Sequence, residues 1–406
     1  MKYIILLGDG MADGQVSKLG GKTPLQYART PNMDFLAANG KIGMVRTVPE
    51  GFPPGSDVAN LSVLGYDPRL YYTGRSPLEA VSMGIELGDN DVAFRCNLVT
   101  LNAQGQYQNQ TMVDYSADEI TTGEAKELIK TVDQNLGNEN IHFYSGVSYR
   151  HLLVWRGGPT ATRLTPPHDI SGRLITDYLP RGEGSETLLG LMEASFKFLP
   201  DHQVNLDRMK NGLRPANSIW LWGQGKRPAI PKFFDQFGLY GAVISAVDLV
   251  KGIGICAGLE VIEVAGATGN IHTNFRGKTM AALEVLNKGS DFVYIHVEAP
   301  DEAGHRGELE NKIKAIEAID DMLGELRFGL NQQNNPYKIM LLPDHPTPLK
   351  IRTHSSDPVP FAIYQQGENN MANKTACSYS EESAEQSGLK FNSGWELMAY
   401  FLDQKK

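Results

Sequence analysis

Residues 292–306 read FVYIHVEAPDEAGHR. Phe292 to Val297 is a short apolar run, and Pro300 stops it just before Asp301 and His305. A run of this length, rich in β-formers and ended by a breaker, reads as a strand buried in a parallel sheet. Working outward, an amphipathic helix is predicted from Glu308 to Leu323. Its Ile313, Ile316, Ile319 and Asp320 share one side, and the lysines and glutamates take the other. Two more apolar runs follow, Ile339 to Leu342 and Val359 to Tyr364. At the other end of the chain Tyr3 to Leu7 is a further run, closed by Gly8-Asp9-Gly10. Strands alternating with helices predict an α/β fold with a mainly parallel sheet flanked by helices. Pro53-Pro54-Gly55 reads as a loop opening a helix that carries Val58, Leu61 and Leu64 on one side.

The middle of the chain has another texture. NLVTL, YRHLLVW and NSIWLW are short β-like runs, mixed with helices such as Ala125 to Val132. Gly/Pro punctuation brackets this stretch, near Met83-Gly84 and at Gly223 to Pro228. The expectation is a smaller α+β domain inserted in the first, with residues 1–85 and 227–406 forming one domain and 86–226 the other. The polar stretch after Asn369 reads as a surface loop.

The whole chain has 406 residues, 41% of them hydrophobic and 21% charged, which is the composition of an ordinary globular protein. At roughly 100–200 residues per domain, that length suits two or three domains. The net charge of −9 argues against a nucleic-acid binder, whose footprint is a basic face. It also poses a question for any anionic substrate. Cys96, Cys256 and Cys377 lie far apart, which suits a reducing compartment, not a disulfide framework. The first apolar run is too short for a signal peptide, and no stretch approaches the ~20 apolar residues of a membrane span. The expectation is a cytoplasmic protein with no membrane partner, and the oligomeric state is left open.

Polar clusters stand at the predicted strand ends. Asp9 follows the first strand and Ser56 opens a helix. Asp301 and His305 follow FVYIHV, Asp344 and His345 follow IMLL, and His354 precedes the last strand. In open α/β sheets, ligands bind where strand C-termini meet. Mixed carboxylate and imidazole ligation without thiolate suits Mn²⁺ or Zn²⁺. Asp301 and His305, four apart at a helix start, point the same way. Two divalent ions ~3.5–4 Å apart clamp an in-line phosphoryl displacement. Amides at the start of the Ser56 helix favour a bound phosphate, and a cation beside the hydroxyl would make it a nucleophile.

Singly, each residue has a plainer explanation. An Asp after a strand is a turn former, and a Ser at a helix start is a cap. A strand-end His is a hydrogen-bonded structural residue, and Asp-x-x-x-His is a solvated pair. Five segments supplying complementary residues at strand ends outweigh those readings together. His296 and His272 lack that support and read as structural.

The chain resembles the cofactor-independent phosphoglycerate mutases, in the shorter archaeal-type branch of the alkaline phosphatase superfamily. LLGDGMAD, GSDVANLSVLGYDP, TGRSPLEA, PPHDISG, PANSIWLWGQG, KGIGICAG, ATGNIHTNFRGK, HVEAPDEAGHRGE, PDHPTP and HSSDPVPF carry the likeness over almost the whole chain. The resemblance implies a phosphorylated nucleophile at Ser56 and two divalent metal ions, Mn²⁺ first and Zn²⁺ or Mg²⁺ otherwise, with no 2,3-bisphosphoglycerate. It implies one metal held by Asp301, His305 and His354, and the other by Asp9, Asp344, His345 and Ser56. His168 and Asp169 resemble the insert's acid–base and hydroxyl-contacting pair. Arg150, Arg208 and Arg214 lie in segments like those that clamp phosphate and carboxylate, and Lys251 resembles a lysine near the metal centre. Arginine suits such a clamp because its fork binds these groups bidentately, although a lone Arg or Lys is more simply a surface charge. Gln224 and Lys226 stand where a further arginine would fit the pattern.

The implied reaction is the interconversion of 3-phosphoglycerate and 2-phosphoglycerate. Ser56 takes the phosphoryl group, and glycerate turns and takes it back on its 2-hydroxyl, with His168 or Asp169 moving protons and water kept out. The rivals are a metal-dependent phosphotransferase or phosphatase acting on another small alcohol such as homoserine, and a metal-stabilised metabolite-binding protein with no catalysis. A P-loop kinase is excluded: Gly-Lys-Thr at 21–23 and at 277–279 is preceded five residues earlier by Val16 and His272, not glycine. Two cations would supply four positive charges among the aspartates, so a negative chain and an anionic substrate are compatible.

Overall fold

The computed structural model describes residues 1–102, 105–333, 335–368 and 378–404. Its strands, in chain order, are β1 Lys2–Gly8, β2 Lys41–Val45, β3 Val92–Leu101, β4 Met112–Asp114, β5 Ile141–Val147, β6 Arg150–Trp155, β7 Ser218–Lys226, β8 Gly241–Ile244, β9 Glu260–Val261, β10 Phe292–Val297, β11 Tyr337–Leu342, β12 Val359–Gln365 and β13 Lys390–Phe391. The chain forms two compact units, Met1–Tyr72 with Ala229–Lys406, and Thr73–Pro228.

The first unit is built on an eight-stranded sheet in the order β13-β2-β12-β11-β1-β10-β8-β9. From β11 to β9 every pairing is parallel, while β12 runs antiparallel to both neighbours. Burial explains why the middle of β1 is apolar: Ile4, Ile5, Leu6 and Leu7 are all fully buried. Each such side chain contributes ~1.5–3 kcal/mol relative to exposure. Ile4 and Leu6 pack with Ile316, Ile319 and Leu323 of the helix Leu309–Gln332.

That helix departs from its sequence reading twice. It runs to Gln332 because Leu326 and Leu330 continue the buried stripe, and Gly329 lies against Leu283 of the helix Phe275–Asn287 where a side chain would collide. Lys312 is fully buried although the lysines were expected on the solvent face. It is inside because its ammonium meets the Asp13 carboxylate at 2.7 Å. The residues expected as a polar loop after Asn369 lie outside the described residues as far as Cys377. From Ser378 onward Tyr379 is buried and a helix at Glu381–Gln386 is capped by Ser380.

The second unit is an antiparallel five-stranded sheet, β4-β3-β6-β5 with β7 also on β3. Its own core joins Phe94, Leu98 and Trp220 to Leu128 and Ile129 of the helix Thr122–Leu136 and Leu188 and Met192 of the helix Ser185–Phe198. The unit starts at Thr73 where the sequence suggested 86. The helix Ser76–Ser82 goes with it because Glu79 is paired with Arg95 of β3, at 2.6 Å. Among the described residues no helix is long and apolar enough to cross a membrane.

Candidate metal centre

The C-terminal ends of β11, β1, β10 and β8 lie side by side in the first unit. Asp344 and His345 follow β11 and Asp9 follows β1. The helix Ala299–Arg306 after β10 carries Asp301 and His305 one turn apart. Ser56 is the first residue of the helix Ser56–Val63, and His354 lies between β11 and β12. Gly10 makes the first turn possible: its φ is +62°, and an added Cβ would lie 2.7 Å from Asp301 Cα. Its amide instead donates to Asp344 Oδ1 at 3.1 Å.

The structure brings all seven of these residues together. Ser56 Oγ lies 3.1 Å from His345 Nε2 and 3.5 Å from Asp9 Oδ2. His345 Nε2 is 3.4 Å from Asp344 and 3.6 Å from Asp9. On the other side, Asp301 is 3.3 Å from His305 Nε2 and 3.4 Å from His354 Nε2, and the two imidazole nitrogens are 2.8 Å apart. The His345 and His354 rings, 4.0 Å apart, join the halves. Among the described residues, three overlapping groups have donor atoms close enough for one ion: Asp301, His305 and His354; Asp9, Asp301 and His345; and Asp9, His296 and Asp344.

The electrostatics call for cations. Asp9, Asp301 and Asp344 are all buried. Burial first, and then the Asp344 and Asp301 charges, push the Asp9 carboxyl well above the usual range. Burial pushes Asp301 upward too, but hydrogen bonds from His305 and His354 more than offset it and hold this carboxyl well below the usual range. Burial lowers His345. Asp9 Oδ1 is buried without a hydrogen-bond partner. An orphaned carboxylate oxygen among carboxylates and imidazoles fits a divalent cation of the Mn²⁺, Zn²⁺ or Mg²⁺ kind.

Sequence reasoning missed several supports. His296 Nε2 lies 2.9 Å from Asp9 Oδ2, a contact that its reading as structural did not include. Burial first keeps it neutral, at about 3. The signal was its place one residue before the end of β10, as close to a strand end as the residues that were chosen. Asn60, one turn after Ser56, donates to Asp344 Oδ2 and to Ser56 O, and accepts from the Tyr294 hydroxyl. Thr347 bridges Asp301 and His345. Lys278, buried, donates to His296 O at 2.9 Å, and burial brings its amine down to about 8.

In the second unit, His168 and Asp169 share the turn Pro167–Ile170, 3.6 Å apart. The His168 ring packs on Trp222 and Tyr115, and Tyr115 packs on Tyr149, over which Arg150 sits. Arg208 is buried, and each of its three nitrogens is engaged, with Arg214 O, Glu124 and Ala117 O. Arg214 pairs with Asp114 and Asp118. In the first unit Lys251 pairs with Glu263 at 2.7 Å.

Comparisons with known proteins agree with this geometry. Residues 37–205 match the family model described as 2,3-bisphosphoglycerate-independent phosphoglycerate mutase. The chain is 56% identical over the full length of both to a Geobacter sulfurreducens protein described as a probable 2,3-bisphosphoglycerate-independent phosphoglycerate mutase. It is 50% identical, again over both full lengths, to the 2,3-bisphosphoglycerate-independent phosphoglycerate mutase of Methanosarcina barkeri. Among solved structures, a Pyrococcus horikoshii protein superposes with a TM-score of 0.83 at 30% identity, covering 100% of this chain and 98% of the other. The cofactor-independent phosphoglycerate mutase of Thermoplasma acidophilum gives 0.67 at 28% identity, with 99% of each chain covered.

Proposed function

The chain belongs to the 2,3-bisphosphoglycerate-independent phosphoglycerate mutase family, and from that membership we propose that it interconverts 3-phosphoglycerate and 2-phosphoglycerate through a phosphoserine at Ser56. The observation that carries the proposal is the position of the Ser56 hydroxyl, 3.1 Å from His345 and 3.5 Å from Asp9, at the edge of a buried cluster rich in carboxylate. A purely structural metal site has no use for a hydroxyl among its ligands.

Two divalent cations are assigned to the cluster, one by Asp301, His305 and His354, the other by Asp9, Asp344, His345 and Ser56, with Mn²⁺ as the expected ion. When bound, such ions neutralise the phosphoryl oxygens and lower the pKa of a neighbouring hydroxyl. The chain's residues do the rest. Asn60 ties the start of the Ser56 helix to Asp344, so the nucleophile and a ligand move together. In the first transfer the Ser56 Oγ–P bond forms as the P–O3 bond of 3-phosphoglycerate breaks. In the second the glycerate 2-hydroxyl attacks phosphorus and Ser56 is released. His168 or Asp169 moves the proton between the two glycerate oxygens. Arg150, Arg208, Arg214 and Lys251 are assigned to the substrate's anionic groups, with Arg150 and Arg214 exposed and Arg208 needing to release a partner. Residues 86–226 are assigned as the substrate-gripping insert. Cys96, a buried free thiol, supports a reducing, cytoplasmic setting.

The test is an assay of 3-phosphoglycerate with Mn²⁺ coupled through enolase, with phosphate release and homoserine phosphorylation followed in parallel. Enolase-coupled turnover far above the other two channels is expected. Dominant phosphate release or homoserine phosphorylation would replace the mutase reading.

A further inference from the structure

We propose that His296, held by Ser245, is a positioning residue that turns one oxygen of Asp9 toward the metal site and is not itself a ligand. The proposal rests on the two-cation reading above.

The three residues stand on neighbouring strands. Ser245 follows β8, His296 is the penultimate residue of β10, and Asp9 follows β1, in the sheet order β1-β10-β8. The direction of each hydrogen bond follows from Asp9, whose carboxylate, ionised beside cations, can only accept. His296 Nε2 lies 2.9 Å from Asp9 Oδ2 and therefore donates. With the imidazole proton on Nε2, Nδ1 accepts from the Ser245 hydroxyl 3.2 Å away, whose Oγ in turn accepts from the Val247 amide at 3.0 Å. A nitrogen that carries a proton has no lone pair for a metal, so proximity to Asp9 and Asp344 does not make His296 a ligand.

The consequence falls on Asp9. Oδ2 receives His296 and, more distantly, the Ser56 hydroxyl at 3.5 Å, while Oδ1 is buried with no hydrogen-bond partner and faces His345 Nε2 at 3.6 Å. The carboxylate is thereby fixed with Oδ1 available to an ion. The His296 main chain is itself secured, by β-pairing to Leu7 and by the Lys278 ammonium on its carbonyl. Partners of this kind around metal ligands typically change affinity 10–100-fold when removed.

The experiment is calorimetric titration of Mn²⁺ into metal-free protein, with bound metal counted at saturation, for the parent, His296→Leu, His296→Gln and Ser245→Ala. The parent binding two Mn²⁺ supports the underlying reading, and a parent that binds none overturns that reading independently of the variants. Given two in the parent, His296→Leu is expected to bind two at saturation with one site weakened ~10–100-fold. His296→Gln, whose side-chain amide restores a donor, is expected to recover most of that loss, and Ser245→Ala to show a smaller weakening of the same site. Loss of one Mn²⁺ at saturation in both His296 variants would make His296 a ligand and overturn the proposal. Parent-like affinity in all three would overturn it as well. Should His296→Leu fail to fold, the other two decide, together with the ¹⁵N imidazole spectrum of the metal-free parent. That spectrum is expected to show His296 protonated on Nε2, and protonation on Nδ1 would contradict the assignment.

Discussion

Two buried aspartates stand four residues apart after β1, and their surroundings differ completely. Asp13 faces the Lys312 ammonium at 2.7 Å and accepts from the Leu349 amide. Among the described residues the ion-pair partners of Asp9 are two imidazoles, His296 and His345, and its Oδ1 has no hydrogen-bond partner. The inserted unit follows the Asp13 pattern, with Glu79 between Arg75 and Arg95 and Arg208 on Glu124. A buried carboxylate with no lysine or arginine beside it is costly, and the ion-pair partners given for Asp9, Asp301 and Asp344 are imidazoles alone, which makes this cluster the place where added cations would count most. The contrast locates function: paired buried charges hold the fold, and unpaired ones mark where cations are expected.

The largest effect should come from Asp9→Asn, which removes a proposed ligand. Enolase-coupled turnover is expected to fall at least ~10³-fold, with circular dichroism unchanged. Parent-like turnover would put Asp9 outside the chemistry. Next is Lys312→Met, which leaves Asp13 buried and alone. Denaturant unfolding should show a loss of ~3–5 kcal/mol, largely recovered in the double variant with Asp13→Leu. A change below ~1 kcal/mol would erase the contrast between the two aspartates.

Glu79 supplies a pH test. Burial alone would raise its carboxyl, but the Arg95 and Arg75 charges outweigh that and bring it down to about 2. A carboxyl lowered on folding stabilises fully above its unfolded value of ~4.5, and loses that contribution as pH falls toward 2. The parent should therefore lose roughly 3 kcal/mol across that window, and Glu79→Gln should lose less. Identical pH profiles would mean that the pair adds nothing. The smallest effect is the most diagnostic: in metal-free protein at neutral pH, Asp9→Asn should stabilise by ~1 kcal/mol because it relieves carboxylate repulsion, whereas Asp13→Asn should destabilise. Destabilisation by both would show that Asp9 is an ordinary structural residue.

Much of this was legible in the sequence. FVYIHV spans β10 end to end, and Asp9, Ser56, Asp301, His305, Asp344, His345 and His354 stood out because each follows a breaker or opens a helix beside an apolar run. The supports were hidden for a physical reason. His296 sits inside an apolar run, Asn60 inside a helix, and Lys312 on what looked like a solvent face, and each is explained only by a partner distant in sequence: Asp9, Asp344 and Asp13. Periodicity shows which side of an element is apolar, but not which polar residue on the inner side has a partner waiting. The anchoring of Arg208 was hidden likewise, since Glu124 lies far from it in sequence.

The most direct test of the account is to quench the protein during turnover of 3-phosphoglycerate labelled in its phosphoryl group, with Mn²⁺ present, and to map the label. The account predicts acid-stable phosphoserine on the peptide carrying Ser56, absent in Ser56→Ala, which should also lose turnover. Label on another residue, or full turnover in Ser56→Ala, would contradict it.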